Sequence, residues 1–534
     1  MKFRYTILVI IFALVYGGLI FRIYSLQLEQ GSEYLQRVER REKIAQNNFD
    51  RGKIYFTDRY QNLIPVAANK EFPIIYAVPK EISQPEKTVE ALTPIINWTK
   101  EKLEKLTTSL SNPKDLYELL VEKASDEQVL SIQSLNLKGI YIGFQNFRYY
   151  PFQNLASQLI GFVGVNEKND QPAGIYGLES FYNDKLQNNK DLILTIDRNL
   201  QARAEEVLDN LIKKFEATGG TAIIQKPTTG EILALTNKPD FDPNNYSQAE
   251  VSSFLNPAIK SLYEPGSVLK IITMAAGIDS KKITPETTYY DSGSVTLNTK
   301  TITNWDNKAH GKVTMTNVIE QSINTGAVWA ERTIGHDIFY NYLLKFGLEK
   351  PTGIDFSQER AGNLANLKKK HARDIDFATA SYGQGIAVTP LELINAFSAI
   401  ANGGNLMRPY FNAELKPKVL RQVINPDTAR QVKAMMVSAV EKAEVAAIAN
   451  YRVAGKTGTA LVPDFKNGGY TNDVINTYIG FVPVDNPQFV ILLKIDKPKG
   501  APLSGLSVVP AFRELAQFVL NYYNIPPDKL ATNN

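Results

Sequence analysis

The segment EPGSVLK, residues 264–270, decides how we interpret this chain, and it leads into the apolar run VLKIITMAAGI. Proline in the first turn pre-organises a helix start, so a helix is predicted to begin here. Ser267 and Lys270 are three positions apart and share one face of that helix, with about 5 to 6 Å between their β-carbons. A serine hydroxyl needs a base within hydrogen-bond reach before it attacks an amide. The spacing therefore predicts Ser267 as a nucleophile and Lys270 as its base.

The S-x-x-K pattern has little specificity by itself. Residues 111–114 (SNPK) match it too, but no apolar helix after a Pro-Gly turn follows them. Lys270 must also be neutral to act as a base, and lowering its pKa from about 10.4 to near 7 requires about 4.6 kcal/mol. The helix N-terminus, burial and a second cation such as Lys456 can each contribute to that shift.

A second polar string, SIN at residues 322–324, lies between two helical runs. We expect a loop between helices, from which both polar side chains point the same way. Ser322 would then relay a proton between a lysine and the leaving amine, while Asn324 would hydrogen-bond Lys270 and the substrate amide. A helix cap is the alternative, since serine and asparagine make caps routinely. The same S-x-N pattern also occurs at residues 134–136 (SLN).

The third string, KTGT, begins at Lys456 in the strand-like run RVAGKTGTALV. Gly458 would let a substrate backbone approach and pair with the strand edge. We predict that the side chains of Lys456, Thr457 and Thr459 bind a terminal carboxylate. The backbone N–H groups of Ser267 and Thr459 are predicted to form the oxyanion hole, in which one donor is typically worth about 10²- to 10³-fold in rate.

Around these strings the order of elements is strand, helices, strands, helix. An amphipathic helix covers residues 200–215, a mainly helical stretch covers about 265–445, and a last helix covers about 509–523. The strand-like runs are 221–225, 231–235, 451–462, 476–483 and 489–494. This order predicts an α+β fold with an antiparallel sheet flanked by helices and an inserted helical subdomain. The active site is expected where the sheet and the subdomain meet.

Near the N-terminus, residues 5–21 (YTILVIIFALVYGGLIF) carry no charge and are flanked by basic residues. At about 1.5 Å per residue they span about 26 Å, a little less than the ~30 Å hydrocarbon core. We predict a cytoplasmic tail at 1–4 and one transmembrane anchor helix at 5–23, with the rest of the chain outside the inner membrane. A cleaved signal peptide is the alternative, but no small-x-small site follows the apolar run.

Composition excludes several other function classes. A net charge of +4 over 534 residues gives no focused basic field, so we expect no nucleic-acid partner. The chain has no cysteine, and His310, His336 and His371 are too scattered for a zinc motif, so no metal site is expected. A nucleotide-binding P-loop ending at Lys456 would need glycine at Asn450 and a helix after it. We therefore expect no cofactor.

Further strings carry a family resemblance. Residues 51–59 (RGKIYFTDR) resemble the R-G-x-I-x-D-R signature of class B penicillin-binding proteins, although they are two residues longer. Residues 176–179 (YGLE), 195–197 (TID), 382–385 (YGQG) and 389–390 (TP) are similar to other strings of that family. The chain thus resembles the membrane-anchored peptidoglycan D,D-transpeptidases over almost its whole length. The FtsI-like division type fits better than the elongation type.

The resemblance implies a penicillin-binding, serine β-lactamase-like transpeptidase domain at 191–525. It would follow an elongated, non-catalytic α+β pedestal (dimerisation-type) domain at 24–190 and precede a tail at 526–534. Ser267 would attack the penultimate D-alanine carbonyl of a stem peptide, expel the terminal D-alanine and pass the acyl group to an amine. β-Lactams would acylate the same serine. A SEDS-type glycan polymerase and other cell-division proteins are the implied partners.

Other acyl-serine functions remain as alternatives at this point. A D,D-carboxypeptidase would use water as acceptor, and the acceptor subsite has no short motif that excludes it. A β-lactam-binding sensor would need several membrane spans or a large cytoplasmic domain, and a silent scaffold would be expected to have lost Ser267 or Lys456. A β-lactamase would need a route to hydrolyse the acyl-enzyme, which in one class is a glutamate in an E-x-x-L-N string, and residues 392–395 (ELIN) do not match that spacing.

Overall fold

The computed structural model describes one N-terminal residue and four longer segments: Tyr16, 50–96, 98–166, 171–464 and 466–529. Apart from Tyr16, the predicted cytoplasmic tail and anchor helix lie outside the described residues. Among the residues that are described, no helix is long and apolar enough to cross a membrane. The anchor therefore stays a prediction.

Two sets of elements follow each other along the chain. Those before residue 198 are the strands β1 (Ile54–Thr57), β2 (Ile64–Ala77), β3 (Glu118–Val121), β4 (Ile140–Tyr149), β5 (Val163–Val165), β6 (Pro172–Gly174) and β7 (Leu192–Asp197), and the helices α1 (Pro85–Ile96), α2 (Lys100–Leu110), α3 (Asp126–Leu135), α4 (Ser157–Ile160), α5 (Gly177–Phe181) and α6 (Asn183–Gln187).

The later strands are β8 (Gly219–Gln225), β9 (Ile232–Lys238), β10 (Thr288–Asp291), β11 (Ser294–Leu297), β12 (Lys300–Thr303), β13 (Gly311–Thr314), β14 (Asn405–Met407), β15 (Val419–Gln422), β16 (Ala454–Pro463), β17 (Tyr470–Val482) and β18 (Phe489–Asp496). The later helices are α7 (Arg198–Phe215), α8 (Pro257–Lys260), α9 (Lys270–Asp279), α10 (Met315–Glu320), α11 (Asn324–Ile334), α12 (His336–Lys345), α13 (Ala365–Lys368), α14 (Asp374–Ala380), α15 (Pro390–Ala401), α16 (Pro426–Ala443) and α17 (Val508–Tyr522).

One compact unit consists of residues 68–149 and the described chain before residue 52. In this unit β2 lies between β3 and β4 and is antiparallel to both. Side chains alternate across a strand, so Ile75 and Ala77 share the sheet face that packs against α1, α2 and α3 in one apolar cluster. Helix α3 starts at a capping box, in which the Ser125 side chain accepts from the backbone N–H of Gln128.

The second compact unit consists of residues 52–67 and the chain from residue 150 onward. Its main sheet has the antiparallel strand order β16-β17-β18-β8-β9. Ile224 of β8 and Leu493 of β18 pack in one core with residues of α7 and α17. Ile223 and Leu492, on the opposite face, join a second core with α9 and α15. The α+β class is confirmed, with α7 and α17 on one face of the sheet.

The segment between β9 and β16 is less purely helical than predicted. It contains α8 to α16, but also the pairs β10 with β13, β11 with β12, and β14 with β15. The β11–β12 hairpin turns at Asn298 and Thr299, whose φ angles are 46° and 67°. A two-residue hairpin turn of this kind needs positive φ at both positions and usually carries Asn-Gly. The turn was missed because Asn-Thr lacks that glycine.

Residues 150–190 belong to the same compact unit as the main sheet. The Ala156 N–H donates to Glu205 of α7 over 2.7 Å, and the Gln158 side-chain amide donates to the Pro239 carbonyl over 2.6 Å. These contacts tie the segment to its own unit. The predicted domain boundaries at 24–190, 191–525 and 526–534 stay predictions.

Candidate active site

Ser267 lies in a short 3-10 helix, Gly266–Leu269, which continues directly into α9. The predicted helix is therefore present, with a tighter first turn. Gly266 has φ of 60°, which glycine adopts readily, and its N–H donates to the Gly383 carbonyl over 3.0 Å. A β-carbon on Gly383 would lie 2.2 Å from the Gly266 oxygen. Two glycines thus let the serine turn lie against the YGQG segment.

Lys270 is fully buried and points at the SIN loop. Its Nζ donates to the Ser322 carbonyl over 2.6 Å, to Asn324 Oδ1 over 2.8 Å and to Ser322 Oγ over 3.2 Å. Burial, reinforced by the nearby Lys456 cation, lowers the pKa of Lys270 well below its usual value. Among the described residues no hydrogen bond joins Ser267 Oγ to Lys270 Nζ.

Lys456 approaches the same loop from strand β16. Its Nζ donates to Ser322 Oγ over 3.0 Å and to Thr457 Oγ1 over 3.2 Å. Only 4% of Lys456 is exposed, and burial lowers its pKa to about 7. The Ser322 hydroxyl therefore lies between two lysine amines, both of which lose their protons more easily than an ordinary lysine.

The loop between α10 and α11 carries Ser322, whereas Asn324, which was also expected in that loop, is the first residue of α11. Ser322 has φ of 55°, a left-handed conformation that costs energy for a residue with a side chain. Asn324 Nδ2 donates to the Thr303 carbonyl over 2.9 Å, so its Oδ1 must be the atom that accepts from Lys270. The N-cap of α11 is Ile323, without a side-chain cap. Neither the Ser322 nor the Asn324 side chain caps this helix.

Strand β16 carries the KTGT string at the outer edge of the five-stranded sheet. A β-carbon on Gly458 would lie 2.6 Å from the Pro265 carbonyl oxygen and 3.1 Å from the Val268 side chain. Glycine here therefore lets the edge strand lie against the serine turn. This packing role of Gly458 adds to the approach of substrate that the sequence predicts.

Ser504, which no sequence pattern marked, supports the end of the KTGT string. Its N–H donates to Thr459 Oγ1 over 3.2 Å, the two hydroxyl oxygens are 2.9 Å apart, and the Ser504 hydroxyl also donates to the Gly458 carbonyl. Ser504 follows Thr459 by 45 positions in the chain. The contact exists only because the segment before α17 folds back on β16, so no local signal could have revealed it.

A cavity of about 410 Å³ opens where the serine turn, the SIN loop and β16 meet. Six of the predicted site residues line it: Ser267, Ser322, Asn324, Lys456, Thr457 and Thr459. Lys270 does not line the cavity, but its amine contacts the lining residue Ser322. Sequence reasoning missed other lining residues, among them Trp305, Glu320, Tyr382, Gln384, Leu503 and Ser504.

Residues 111–114 and 134–136, the decoy strings that also match S-x-x-K and S-x-N, have ordinary structural roles. The Ser111 hydroxyl donates to the Thr107 carbonyl over 2.7 Å at the end of α2. The Ser134 hydroxyl donates to the Ser131 carbonyl over 2.7 Å within α3. Neither serine lines the cavity.

Two family models match the chain. Residues 220–517 match the "Penicillin binding protein transpeptidase domain", and residues 47–253 match the "Penicillin-binding Protein dimerisation domain". The first match covers the serine turn, the SIN loop and β16.

Curated relatives match over most of their length. Stage V sporulation protein D of Bacillus subtilis (strain 168) is 30% identical over 97% of this chain and 86% of its own. Peptidoglycan D,D-transpeptidase FtsI of Escherichia coli (strain K12) is 28% identical over 92% of this chain and 87% of its own. Among solved structures, Penicillin Binding Protein 2X from Streptococcus thermophilus is similar with a TM-score of 0.70 and 21% identity. That alignment covers 89% of this chain and 80% of the other, and at this identity it supports the fold alone.

Proposed function

This chain belongs to the class B penicillin-binding proteins, and on that premise we propose that it is a peptidoglycan D,D-transpeptidase. It cross-links stem peptides through an acyl-enzyme on Ser267, releases the terminal D-alanine and is acylated by β-lactams. One observation carries the proposal. The Ser322 hydroxyl oxygen lies 3.2 Å from the Lys270 amine and 3.0 Å from the Lys456 amine, at the cavity that holds Ser267.

Burial of two neighbouring lysine amines favours a state in which Lys270 is neutral and Lys456 is charged. Burial lowers the pKa of both, and the Lys456 cation lowers the pKa of Lys270 further. Lys456 keeps its charge up to about pH 7, and that cation disfavours a second charge on the adjacent Lys270. In this state Lys270 offers a lone pair as a base, and Lys456 offers a cation to a substrate carboxylate.

Acylation starts when the neutral Lys270 amine takes the Ser267 hydroxyl proton. The Ser267 oxygen attacks the penultimate D-alanine carbonyl, and the N–H groups of Ser267 and Thr459 stabilise the oxyanion. The C–N bond then breaks, and the leaving D-alanine nitrogen receives, through the Ser322 hydroxyl, the proton that Lys270 took from Ser267. The departing D-alanine carries the carboxylate that Lys456, Thr457 and Thr459 held.

Transfer reverses the proton path. An acceptor amine on a neighbouring stem peptide attacks the ester carbonyl and gives up a proton through Ser322 to Lys270. The Ser267 oxygen leaves and recovers its proton from Lys270, which restores the free enzyme. The cavity opens to solvent at its surface, so a second peptide can reach the ester after D-alanine has left.

The acceptor distinguishes a transpeptidase from a D,D-carboxypeptidase. The protein is incubated with a donor stem peptide that ends in D-Ala-D-Ala and with an added D-amino acid or diamino peptide as acceptor. We expect a cross-linked or exchanged product in excess of the hydrolysed peptide, measured by liquid chromatography with mass spectrometry. Release of D-alanine to water alone, with no amine product at any acceptor concentration, would instead identify a carboxypeptidase.

The charge on Lys456 sets the alkaline side of the pH profile. Because its pKa is about 7, Lys456 is charged below that pH and neutral above it. The second-order rate constant for acylation by a penicillin should therefore fall as pH rises through about 7, and should fall again at acidic pH when Lys270 becomes protonated. In the Lys456→Arg variant the alkaline fall should disappear, because arginine stays charged. An unchanged alkaline limb in that variant would contradict this role.

The uncharged segment at residues 5–21 supports an inner-membrane anchor with the catalytic domain outside the cytoplasm. Relatives named peptidoglycan D,D-transpeptidase FtsI support a division-type role in septal wall synthesis. The family resemblance implies a SEDS-type glycan polymerase and other cell-division proteins as partners. Extraction of membranes with alkaline carbonate should leave the full chain in the pellet. Its release into the supernatant would argue against an anchor.

A further inference from the structure

A buried polar network adjoins Asn324 through its neighbour Thr325. The Thr325 N–H donates to Asn304 Oδ1 over 3.2 Å, and the Thr325 hydroxyl donates to Asp291 Oδ1 over 2.7 Å. All three partners are buried, with Asp291 0% and Asn304 1% exposed. The network therefore lies within one residue of the side chain that holds the Lys270 amine.

Asn304 caps the N-terminus of α11 in place of an N-cap side chain. Helix α11 starts at Asn324, and its N-cap residue has no side chain that can accept from the first N–H groups. Asn304 Oδ1 accepts the Thr325 N–H from outside the helix, while its Nδ2 donates to Asp291 Oδ2 over 2.8 Å and to the Lys308 carbonyl over 2.9 Å. These three hydrogen bonds fix the orientation of the Asn304 amide.

Asp291 is the centre of the network. Its carboxylate accepts from Thr325, from Asn304, from the Gly293 N–H over 2.9 Å, and from His310 twice. Burial alone would raise the pKa of Asp291, but hydrogen bonds from Thr325, Gly293 and His310 hold it below its usual value. An ionised carboxylate only accepts, so the His310 Nδ1 atom, 2.7 Å from Asp291 Oδ2, must be the donor.

The network and the catalytic amide share one piece of backbone. Asn324 Nδ2 donates to the carbonyl of Thr303, and Thr303 directly precedes Asn304. Residues 303 and 304 thus hold residues 324 and 325 at two adjacent points. A shift of Asn304 would carry Asn324 Oδ1 away from the Lys270 amine.

We propose that His310 and Asp291 are positioning residues for acylation, which act through Asn304 and Thr325 to hold Asn324 against Lys270. This inference rests on the proposed transpeptidase function. Loss of the His310 imidazole leaves the buried Asp291 carboxylate with one hydrogen bond fewer. The carboxylate then depends more on its donors Asn304 and Thr325 and displaces them. The Lys270 amine loses its contact with Asn324 Oδ1, whereas the carboxylate-binding residues on β16 stay in place.

The same helix provides a matched control. His336 Nδ1 lies 2.7 Å from Oε1 of Glu331, a fully buried carboxylate near the C-terminal end of α11. The two histidines thus make the same contact with a buried carboxylate at opposite ends of one helix. If His310 only stabilised the fold, then His336→Ala would slow acylation as much as His310→Ala does.

The test separates binding from acylation. Stopped-flow measurements with a fluorescent penicillin give a dissociation constant and an acylation rate constant for the full-length wild type, His310→Ala and His336→Ala. For His310→Ala we expect the rate constant to fall about 10- to 100-fold, as a displacement of about 1 Å can cause, with the dissociation constant within about twofold of wild type. His336→Ala should keep the wild-type rate constant, although its thermal stability falls similarly.

Two conservative variants keep the test decisive if His310→Ala does not fold. In His310→Asn the amide nitrogen lies near the position of Nδ1 and can still donate to Asp291, so the rate constant should stay near wild type. In His310→Gln the amide lies near Nε2, which is 3.2 Å from Asp306 Oδ2, so it keeps that contact and loses Asp291. This variant should be slow.

Specific outcomes would overturn the proposal. Equal slowing in His310→Ala and His336→Ala, or a wild-type rate constant in His310→Gln, would show that the network only stabilises the fold. If the wild type is acylated normally and His310→Ala is acylated equally fast, this inference is overturned and the proposed function stands. A wild type that no penicillin acylates would overturn the proposed function and this inference with it.

Discussion

The Ser267→Ala variant is expected to lose covalent labelling by a fluorescent penicillin and to fold normally. The substitution removes the oxygen that carries the acyl group, so turnover should fall by about 10⁴- to 10⁶-fold. Among the described residues no hydrogen bond depends on the Ser267 side chain, so stability should change little. Gel fluorescence measures the labelling, and circular dichroism with a thermal scan measures the fold.

The decoy serine provides the control for this variant. Ser111 also precedes a lysine by three positions, but its hydroxyl donates to the Thr107 carbonyl outside the cavity. Ser111→Ala should therefore label as the wild type does. Labelling of Ser267→Ala at wild-type stoichiometry would remove Ser267 as the nucleophile.

The second large effect is expected from Lys270→Met. Methionine approximates the length and volume of lysine without the amine, so the buried site stays filled while the base is lost. We expect acylation to slow by about 10²- to 10⁴-fold, the usual contribution of a positioned base. Both methionine and alanine remove the donor to the Ser322 carbonyl and Asn324 Oδ1. Alanine is the poorer choice, because it would leave a cavity as well.

A second buried lysine separates catalysis from burial. Lys494 of β18 is 6% exposed and pairs with Asp496 rather than with a residue of the cavity wall. Lys494→Met should lose stability but keep the wild-type acylation rate constant in its folded fraction. A wild-type rate constant in Lys270→Met would show that another group takes the Ser267 proton.

Much of the candidate site could be predicted from the order of three short strings. A serine and a lysine three positions apart on a helix must share a face, and a small-residue strand such as KTGT suits a sheet edge. The sequence therefore suggested which of Ser267, Lys270 and Lys456 to examine together. It could not place the Ser322 hydroxyl between two amines, because that position depends on a left-handed φ of 55° in a loop between helices.

Contacts between distant segments explain what sequence reasoning missed. Ser504 reaches Thr459 only after the chain has returned to β16, and no pattern connects the two. His310 entered the sequence analysis only as a histidine too isolated for a metal site. Its contact with Asp291 depends on the folding of residues 291–310, in which the β11–β12 hairpin lacks the usual turn glycine.

The central claim is that Ser267 carries the acyl group. Mass spectrometry of the wild-type protein after incubation with a penicillin, followed by digestion and fragmentation of the peptides, tests this claim most directly. The mass of the penicilloyl group should appear on the peptide that contains Ser267, with fragment ions that place it on that residue. A penicilloyl group on another residue, or an unmodified Ser267 peptide at saturating penicillin, would contradict the account.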